Sequence, residues 1–141
     1  MIIVDTNIIS EMMKLSPDLT VTAWLDRQNI TQLFITTITI AEIAYGLYVL
    51  PEGSRRQLLE KAFNQVILEA FIYRILPFDE DSAHCYGKLM GQRKTLGRPL
   101  SIPDGQIASI AYAKGAKMAT RNIRDFSDCW LQLINPFSPV L

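Results

Sequence analysis

The sequence predicts an α/β fold in which a mainly parallel central sheet carries helices on both faces. Short runs of β-branched and other apolar residues alternate along the chain with longer segments of helical periodicity, an alternation typical of parallel sheets. The chain has 141 residues, the usual size of one domain, and contains no repeat, low-complexity tract or internal linker. We therefore expect a single domain spanning residues 1–141.

In the first half of the chain, apolar runs indicate the strands, and turn residues separate the helices. Ser16-Pro17 breaks the first helical segment, and Pro51-Glu52-Gly53 forms a turn after the third. The predicted elements are a strand at 2–4, a helix at 5–13, a helix at about 18–28, a strand at 33–36 and a helix at about 38–50.

The second half begins with the best-defined helix. Leu59, Phe63 and Ile67 recur there every four residues, and the charged side chains fall largely outside this stripe. Pro103 fits the first turn of a later helix, and Gly115 fits the position just after its end. The predicted elements are a helix at 54–72, a strand at 73–76, helices at 79–95 and 103–114, a strand at 117–120 and a short strand at 131–134.

Composition excludes several classes of protein and site. Lys plus Arg equals Asp plus Glu at 14 each, so any contact with nucleic acid must rest on local basic surface. No apolar run reaches the ~18 residues of a membrane span and no signal-peptide pattern follows Met1, so we expect a cytoplasmic protein without membrane association. Cys85 and Cys129 are too few for a disulfide framework or a thiolate zinc site, and we expect both to be small buried hydrophobic residues.

Four acidic residues stand where an apolar pattern should continue. Asp5, Glu42, Asp104 and Asp125 each follow or interrupt an apolar run. Carboxylates in such settings raise the free energy of the folded state unless a cation compensates them. Of the four, only Asp125 has a basic residue beside it in the sequence. Because hard oxygen ligands select Mg²⁺ or Mn²⁺, a bound divalent cation is the natural candidate.

The predicted topology brings these residues to one edge of the sheet. In open parallel α/β sheets, sites form outside the carboxyl ends of the strands. Asp5 directly follows the first strand, and Asn122 and Asp125 follow the strand at 117–120. Glu42 lies one turn into the helix after the second strand. Asp104 lies in the first turn of its helix, so all of these side chains are expected on one rim.

Each acidic residue also has an ordinary structural interpretation. Asp5 fits an N-cap, Asp104 fits a first-turn acid that favours the helix dipole, and Asp125 fits a loop residue. Glu42 has a mid-helix apolar setting that suits capping poorly. The four together, at strand and helix ends, favour a site.

No side chain of the sequence stands out as a nucleophile or a base. His84 is the only histidine and lies in mid-helix without an evident partner. Ser101 and Ser109 have no base near them in the sequence. The nucleophile that we expect is therefore a water molecule activated by the metal.

Five segments carry a family resemblance, namely IIVDTNIIS around Asp5, TTITIAEIAYG around Glu42, ILPFDEDSA at 75–83, RPLSIPDGQIASIA around Asp104 and ATRNIRDF around Asn122. In this order they resemble the PIN-domain ribonucleases, specifically the VapC-type toxins of bacterial toxin–antitoxin pairs and most closely their FitB-like branch. The resemblance implies a three-layer α/β/α sandwich with a sheet of four to five strands. It implies an endoribonuclease that depends on Mg²⁺, with Mn²⁺ as a substitute, and is neutralised by a cognate antitoxin. It further implies a homodimer and a larger complex with the antitoxin on operator DNA.

The resemblance also assigns roles to residues of this chain. Asp5 and Asp104 match the family's principal metal ligands, and Glu42 matches the third acidic member. Thr120 matches a hydroxyl position suited to holding an acidic neighbour by a hydrogen bond. The supporting residues are Thr6, Asn7 and Thr120.

The fourth acidic position departs from the family pattern. Many relatives carry Asp where this chain has Asn122, and Asp125 three residues later carries the charge instead. Asn122 can ligate or orient water through its carbonyl oxygen, but without charge. Both are candidate catalytic residues, and the number of metal ions, one or two, stays open.

Basic residues near the last two motifs are candidate RNA contacts, and they are Arg93, Lys94, Arg98, Arg121 and Arg124. A solvated helix end explains the same charges without RNA. The alternative function is a non-catalytic PIN-like module that binds RNA or protein, and Asn122 favours it. A phosphate-transfer enzyme of the haloacid-dehalogenase type is disfavoured, because it expects a second Asp where this chain has Asn7.

Overall fold

The structure, a computed structural model, describes residues 1–138 and contains five strands and seven α-helices within that range. In chain order they are β1 (Ile2–Val4), α1 (Thr6–Met12), α2 (Leu19–Arg27), β2 (Leu33–Thr36), α3 (Thr37–Tyr48), α4 (Ser54–Gln65), β3 (Ile75–Leu76), α5 (Glu80–Thr95), α6 (Ile102–Ala113), β4 (Lys117–Ala119), α7 (Ile123–Phe126) and β5 (Leu133–Ile134). The predicted helices and strands appear in the predicted order, and α7 is an additional helix.

All five strands pair in parallel, in the order β3-β2-β1-β4-β5. β1 is the central strand, with Ile3 opposite Phe34 of β2 on one side and Met118 of β4 on the other. The strands β2 and β3 lie on one side of β1, and β4 and β5 lie on the other. The carboxyl ends of β1 and β4 are therefore neighbours, with Val4 paired to Ala119. This is the edge at which ligand sites form in open parallel sheets.

Two hydrophobic clusters, one on each face of the sheet, give the protein three layers. Ile3 belongs to one cluster and Val4 to the other, because successive side chains of a strand point to opposite faces. Helices α1 to α4 supply the Val4 cluster, and α5 to α7 supply the Ile3 cluster. The three-layer α/β/α architecture is therefore confirmed.

The predicted helix at 54–72 is too long by several residues. Its regular α-helical part ends at Gln65, and a π-helical turn, Val66–Ala70, follows. Arg74 closes this turn, because its guanidinium donates to the carbonyl of Ala70 and to that of Leu33, the latter at 3.0 Å. Tyr73 has a left-handed backbone with φ 63°, which delays the start of β3 to Ile75.

Other boundaries shift by a few residues, and one short helix was missed. The final strand is Leu133–Ile134 rather than 131–134. Helix α7 has only four residues, too few for a hydrophobic period to identify it. Cys129 is buried and Cys85 partly buried, both as free thiols. Within residues 1–138, no helix is long and apolar enough to cross a membrane.

Helices α5 and α6 pack tightly around Gly105, and this contact yields a first prediction. A Cβ atom at Gly105 would clash with Sδ of Met90 and lie 3.1 Å from Cε2 of Tyr86. Because the sulfur of Met90 lies near the end of a flexible side chain that can move, we expect Gly105→Ala to lower the free energy of unfolding by only about 1 kcal/mol, the low end of the cost of overpacking. Urea unfolding monitored by circular dichroism measures the change.

Gly91→Ala is the matched control, because Gly91 lies in α5 with open space around its Cα. Alanine there should raise the free energy of unfolding by about 0.5–1 kcal/mol through helix propensity alone. Equal stabilisation by both substitutions would contradict the proposed tight contact between the two helices.

Candidate active site

A cleft of about 360 Å³ opens beyond the carboxyl ends of β1 and β4. Its lining is polar and is formed by Asp5, Thr6, Asn7, Ser10, Glu11, Lys14, Glu42, Asp104, Arg121 and Asn122. Four of the predicted catalytic residues, Asp5, Glu42, Asp104 and Asn122, are thus brought together, although they come from four separate segments of the chain. Their catalytic and metal-binding roles stay predictions.

Asp5 is the innermost acidic residue of the cleft, and only 4% of it is exposed. Its backbone N–H donates to the carbonyl of Ala119 at 2.9 Å, which extends the pairing of β1 with β4. Its Oδ1 accepts from the N–H of Thr6 at 2.7 Å, and its Oδ2 accepts from the hydroxyl of Thr120 at 2.8 Å. Asp5 is therefore the N-cap of α1 and a cleft residue at once, and the two interpretations are compatible.

Glu42 is held in the cleft by a chain of threonine hydroxyl groups. The hydroxyl of Thr6 donates to Oε1 of Glu42 at 2.8 Å and lies 3.0 Å from the hydroxyl of Thr39. Because an ionised carboxylate only accepts, the single hydroxyl proton of Thr6 points to Glu42. Thr39 must then be the donor to Thr6, so α3 and α1 are joined through one directed chain.

Asp104 occupies the first turn of α6 without capping it. The cap is Ser101, whose hydroxyl accepts from the backbone N–H of Asp104 at 3.3 Å. The carboxylate of Asp104 is half-buried and lines the cleft. The backbone N–H is thus used for capping, and the side chain remains available to the site.

The acidic residues of the cleft perturb one another. The pKa of Asp5 is raised from 3.8 to about 6, mainly by burial and to a smaller extent by the charges of Asp104 and Glu42, against the hydrogen bonds from Thr120 and Thr6. Burial also raises the pKa of Asp104, and the charge of Asp125 adds to this. A site that holds two carboxylates at raised pKa is one that a cation would stabilise.

The donor set fits Mg²⁺ or Mn²⁺ held through few direct contacts. Within residues 1–138, no three Asp, Glu, His or Cys side chains converge closely enough to surround one ion. Mg²⁺ typically retains several waters and uses only one or two carboxylates, and the oxygen donors of this open cleft match that preference. Asp5 and Asp104, with Glu42 beside them, are the residues that fit this role.

The fourth acidic position is divided between two residues. Asn122 lines the cleft at the start of α7, and its backbone N–H donates to the hydroxyl of Thr120 at 3.0 Å. Asp125 lies one turn later on an exposed face and outside the cleft lining, although its charge affects the pKa of Asp104. Asn122 therefore lies in the cleft without a charge, whereas Asp125 carries a negative charge outside the cleft lining.

Of the candidate RNA contacts, Arg121 is the one in the cleft lining. Its guanidinium carbon lies 3.9 Å from the ring centroid of Phe137, which fixes the side chain at the rim. Lys94 and Arg124 are exposed on the surface. The role of these three residues in binding RNA stays a prediction.

The prediction for Arg93 is wrong. Arg93 is 3% exposed, and its guanidinium donates to the carbonyls of Arg98 and Ser127 and to Sγ of Cys129. A guanidinium buried among these acceptors has no surface to offer to a phosphate. Arg98 is partly exposed but paired with Asp128, Nη1 to Oδ2, at 2.7 Å.

Glu11 is a buried acidic residue of the cleft that the sequence analysis missed. Its Oε1 accepts from the backbone N–H of Asp18 at 2.8 Å, and its Oε2 pairs with Nζ of Lys14 at 2.8 Å. The hydrogen bond from Lys14, followed by that from Asp18, lowers the pKa of Glu11. The available signal was its place three residues after Ile8, on the apolar face of α1.

Comparison with known proteins identifies the family. The family model described as the PIN domain matches residues 2–129. The chain belongs to the PIN-domain family. Among the relatives of this PIN domain is the VapC ribonuclease Y4jK of Sinorhizobium fredii, with 42% identity over 139 residues and 99% of both chains covered. Toxin FitB of Neisseria gonorrhoeae is 36% identical over 137 residues, covering 97% of this chain and 99% of the relative.

Solved structures agree with this assignment. The structure of FitAB bound to an IR36 DNA fragment matches this PIN domain with a TM-score of 0.91 and 35% identity, covering 100% of this chain and 99% of the other. The predicted resemblance to VapC-type PIN domains and to their FitB-like branch is therefore confirmed.

The buried carboxylate of the PIN domain yields a second prediction, on stability in the absence of metal. The pKa of Asp5 is about 6 in the folded protein, above the ordinary 3.8, so the folded state binds more protons between these values. The free energy of unfolding should therefore fall as pH rises from about 4 to 6, by up to roughly 3 kcal/mol from this group. Urea unfolding in EDTA across pH 4 to 8 measures it.

Asp5→Asn should remove this contribution, so the difference between wild type and variant isolates Asp5 from the other titrating groups. Asp26→Asn, at an exposed position of α2, serves as the control and should follow the wild-type curve. Parallel curves for wild type and Asp5→Asn would contradict the raised pKa.

Proposed function

We propose that this PIN domain is a metal-dependent endoribonuclease toxin of a toxin–antitoxin pair, hydrolysing RNA phosphodiester bonds with water. The observation that carries the proposal is the buried carboxylate of Asp5, which shares an open cleft with Glu42 and Asp104. Relatives that match nearly the whole chain are named a ribonuclease and a toxin, which supports both parts.

The residues of the cleft have distinct tasks in this proposal. Asp5 and Asp104 would hold Mg²⁺ or Mn²⁺, with Glu42 as the third acidic member. When bound, the ion activates water for attack and offsets the charge of the phosphate. The hydroxyl of Thr120 and the N–H of Thr6 hold one carboxylate oxygen of Asp5 each, so its orientation is set before any ligand binds.

Side chains at the margin of the cleft would handle the substrate. The amide of Asn122 can orient a water molecule through its carbonyl oxygen. The guanidinium of Arg121 would bind an RNA phosphate at the rim, a contribution that weakens with salt. His84 is exposed on α5, and Ser109 donates to the carbonyl of Gly105 at 2.6 Å, so neither serves as base or nucleophile in this scheme.

We infer the partners from the same family. The matching FitAB structure is a complex bound to DNA, which supports a cognate antitoxin and an assembly on operator DNA for this chain. We further propose a homodimer and a cytoplasmic location, where the RNA substrate is found. Exposed apolar side chains offer surface for such contacts, among them Leu15, Tyr45, Tyr48 and Leu58.

The direct test is cleavage of a structured RNA pool by the purified protein with Mg²⁺ and with EDTA. Asp5→Asn and Asp104→Asn should each lower kcat/KM by roughly 100-fold or more, because loss of outer-shell partners alone costs 10- to 100-fold at metal sites. Asp26→Asn is the charge-matched control and should cleave like wild type.

A non-catalytic PIN-like module is the second candidate, favoured by the amide at Asn122. Calorimetric titration with Mg²⁺ separates the two candidates. Binding that Asp5→Asn abolishes supports the enzyme, whereas absence of carboxylate-dependent binding, together with equal RNA signals in Mg²⁺ and EDTA, supports the module.

The divided fourth position yields a further prediction. Asn122→Asp adds a carboxylate inside the cleft and should strengthen Mg²⁺ binding several-fold, since affinity rises with the charge of the oxygen ligands. Asp125→Asn removes a charge outside the cleft lining and should weaken binding by less. Calorimetry on both variants measures the ratio, and a larger effect at Asp125 would assign the fourth position to that residue.

A further inference from the structure

Two arginine side chains join the loop that enters α6 to the segment that follows α7. Nε of Arg93 donates to the carbonyl of Arg98 at 2.7 Å, and Nη1 donates to the carbonyl of Ser127 and to Sγ of Cys129, the latter at 3.2 Å. We name the group formed by Arg93, Arg98, Ser127 and Asp128 the arginine clasp.

Arg98 forms the outer half of the arginine clasp. Its Nη1 pairs with Oδ2 of Asp128 at 2.7 Å. Its Nη2 donates to the carbonyl of Arg124 at 2.8 Å and to the hydroxyl of Ser127 at 2.9 Å. One planar guanidinium thus holds one point of α7 and two points of the segment after it, a geometry that lysine cannot reproduce.

The segment held by the clasp is strained. Asp128 and Trp130 both have a left-handed backbone with φ 61°, although neither is glycine, and Cys129 between them is 1% exposed. Each such residue is unfavourable unless the surrounding structure fixes it. The clasp holds the part of this segment that precedes Trp130, because its hydrogen bonds end on Ser127, Asp128 and Cys129.

The two ends of the clasp lie next to the two sides of the cleft. Arg98 precedes by three residues Ser101, the cap of the helix that carries Asp104. Arg124 belongs to α7, which starts at Asn122 and carries Asp125. Within the described residues, neither Arg93 nor Arg98 lines the cleft, so the clasp reaches the site only through the backbone.

We propose that Arg93 and Arg98 are positioning residues that set the spacing of Asp104 from Asn122 and Asp125. The proposal rests on the nuclease function proposed above and replaces, for both residues, the role of RNA contact. Opening the clasp releases the strained segment and lets the two sides of the cleft separate. A displacement of about 1 Å at reacting groups is enough to lower a rate 100-fold.

The test compares Arg98→Ala and Arg98→Lys with wild type, all in a Cys85→Ser background that leaves Cys129 as the only thiol. Three quantities are measured: kcat and KM for a structured RNA, the salt dependence of KM, and the rate at which iodoacetamide alkylates Cys129. Arg27→Ala, at an exposed position of α2, is the control for loss of one positive charge.

For Arg98→Ala we expect kcat to fall about tenfold or more, KM to stay within about twofold, and Cys129 to be alkylated several-fold faster. Arg98→Lys should recover only part of kcat. If Arg98 instead contacts RNA, KM rises, the salt slope falls by about one, and Cys129 stays protected, which would overturn the proposal. Unchanged kcat, KM and alkylation would overturn it as well.

General destabilisation is controlled by Val21→Ala, a buried substitution on the opposite face of the sheet. It should lower global stability and leave kcat within about twofold. An equal fall of kcat in Val21→Ala and Arg98→Ala would show that the clasp has no special connection with the site.

Failure of the nuclease function is distinguishable from failure of the clasp. If wild type binds Mn²⁺ but does not cleave RNA, the nuclease proposal fails. Calorimetric titration with Mn²⁺ then tests the positioning role of the arginine clasp. Arg98→Ala should then bind Mn²⁺ several-fold more weakly, with faster alkylation of Cys129, and unchanged affinity would overturn the positioning role. A wild-type protein that neither cleaves RNA nor binds Mn²⁺ overturns both proposals.

Discussion

The burial of the Asp5 carboxylate connects the sheet, the first helix and the candidate site. Its backbone N–H continues the pairing of β1 with β4, and its two carboxylate oxygens accept from Thr6 and Thr120. The same side chain therefore caps α1 and places a negative charge at the base of the cleft. Any change at Asp5 therefore affects the fold as well as the candidate site, so variants of Asp5 need a control at another carboxylate.

Two buried carboxylates of this cleft differ in how well their surroundings compensate the negative charge. Glu11 has Lys14 and the N–H of Asp18 as partners, and its pKa is lowered. Asp5 also accepts two short hydrogen bonds, yet burial outweighs them and its pKa is raised to about 6. Burial alone is thus no indicator of function, and the direction of the shift shows that Asp5 carries uncompensated charge.

The sequence predicted those features that depend on local pattern and on one topological rule. Alternating apolar runs predict the strands, and the rule that sites form at the carboxyl ends of strands predicts that Asp5, Glu42, Asp104 and Asn122 share one rim. The family resemblance contributed the roles of these residues, which spacing alone does not provide.

Features that depend on long-range contacts were missed. Arg93 looked like a surface cation because charge suggests exposure, yet it follows the buried Leu89 by one helical turn and lies on the same inner face. Its acceptors are the carbonyls of Arg98 and Ser127, and no local pattern reveals a contact across 34 residues. The π-helical turn Val66–Ala70 likewise depends on a long-range contact, because Arg74, which donates to the carbonyl of Ala70, also donates to the distant carbonyl of Leu33.

Electrostatics links the metal to the substrate in the proposed nuclease. RNA is a polyanion, and the cleft presents Asp5, Glu42 and Asp104, so without a cation a phosphate near these carboxylates is repelled. Lys14 also lines the cleft, but its ammonium is paired with Glu11, which leaves Arg121 at the rim to favour the substrate. Since the whole chain has no net positive charge, long-range attraction cannot compensate for this repulsion. A divalent cation would offset two of these three negative charges, so in the proposed nuclease both the binding of RNA and its hydrolysis would depend on the same ion.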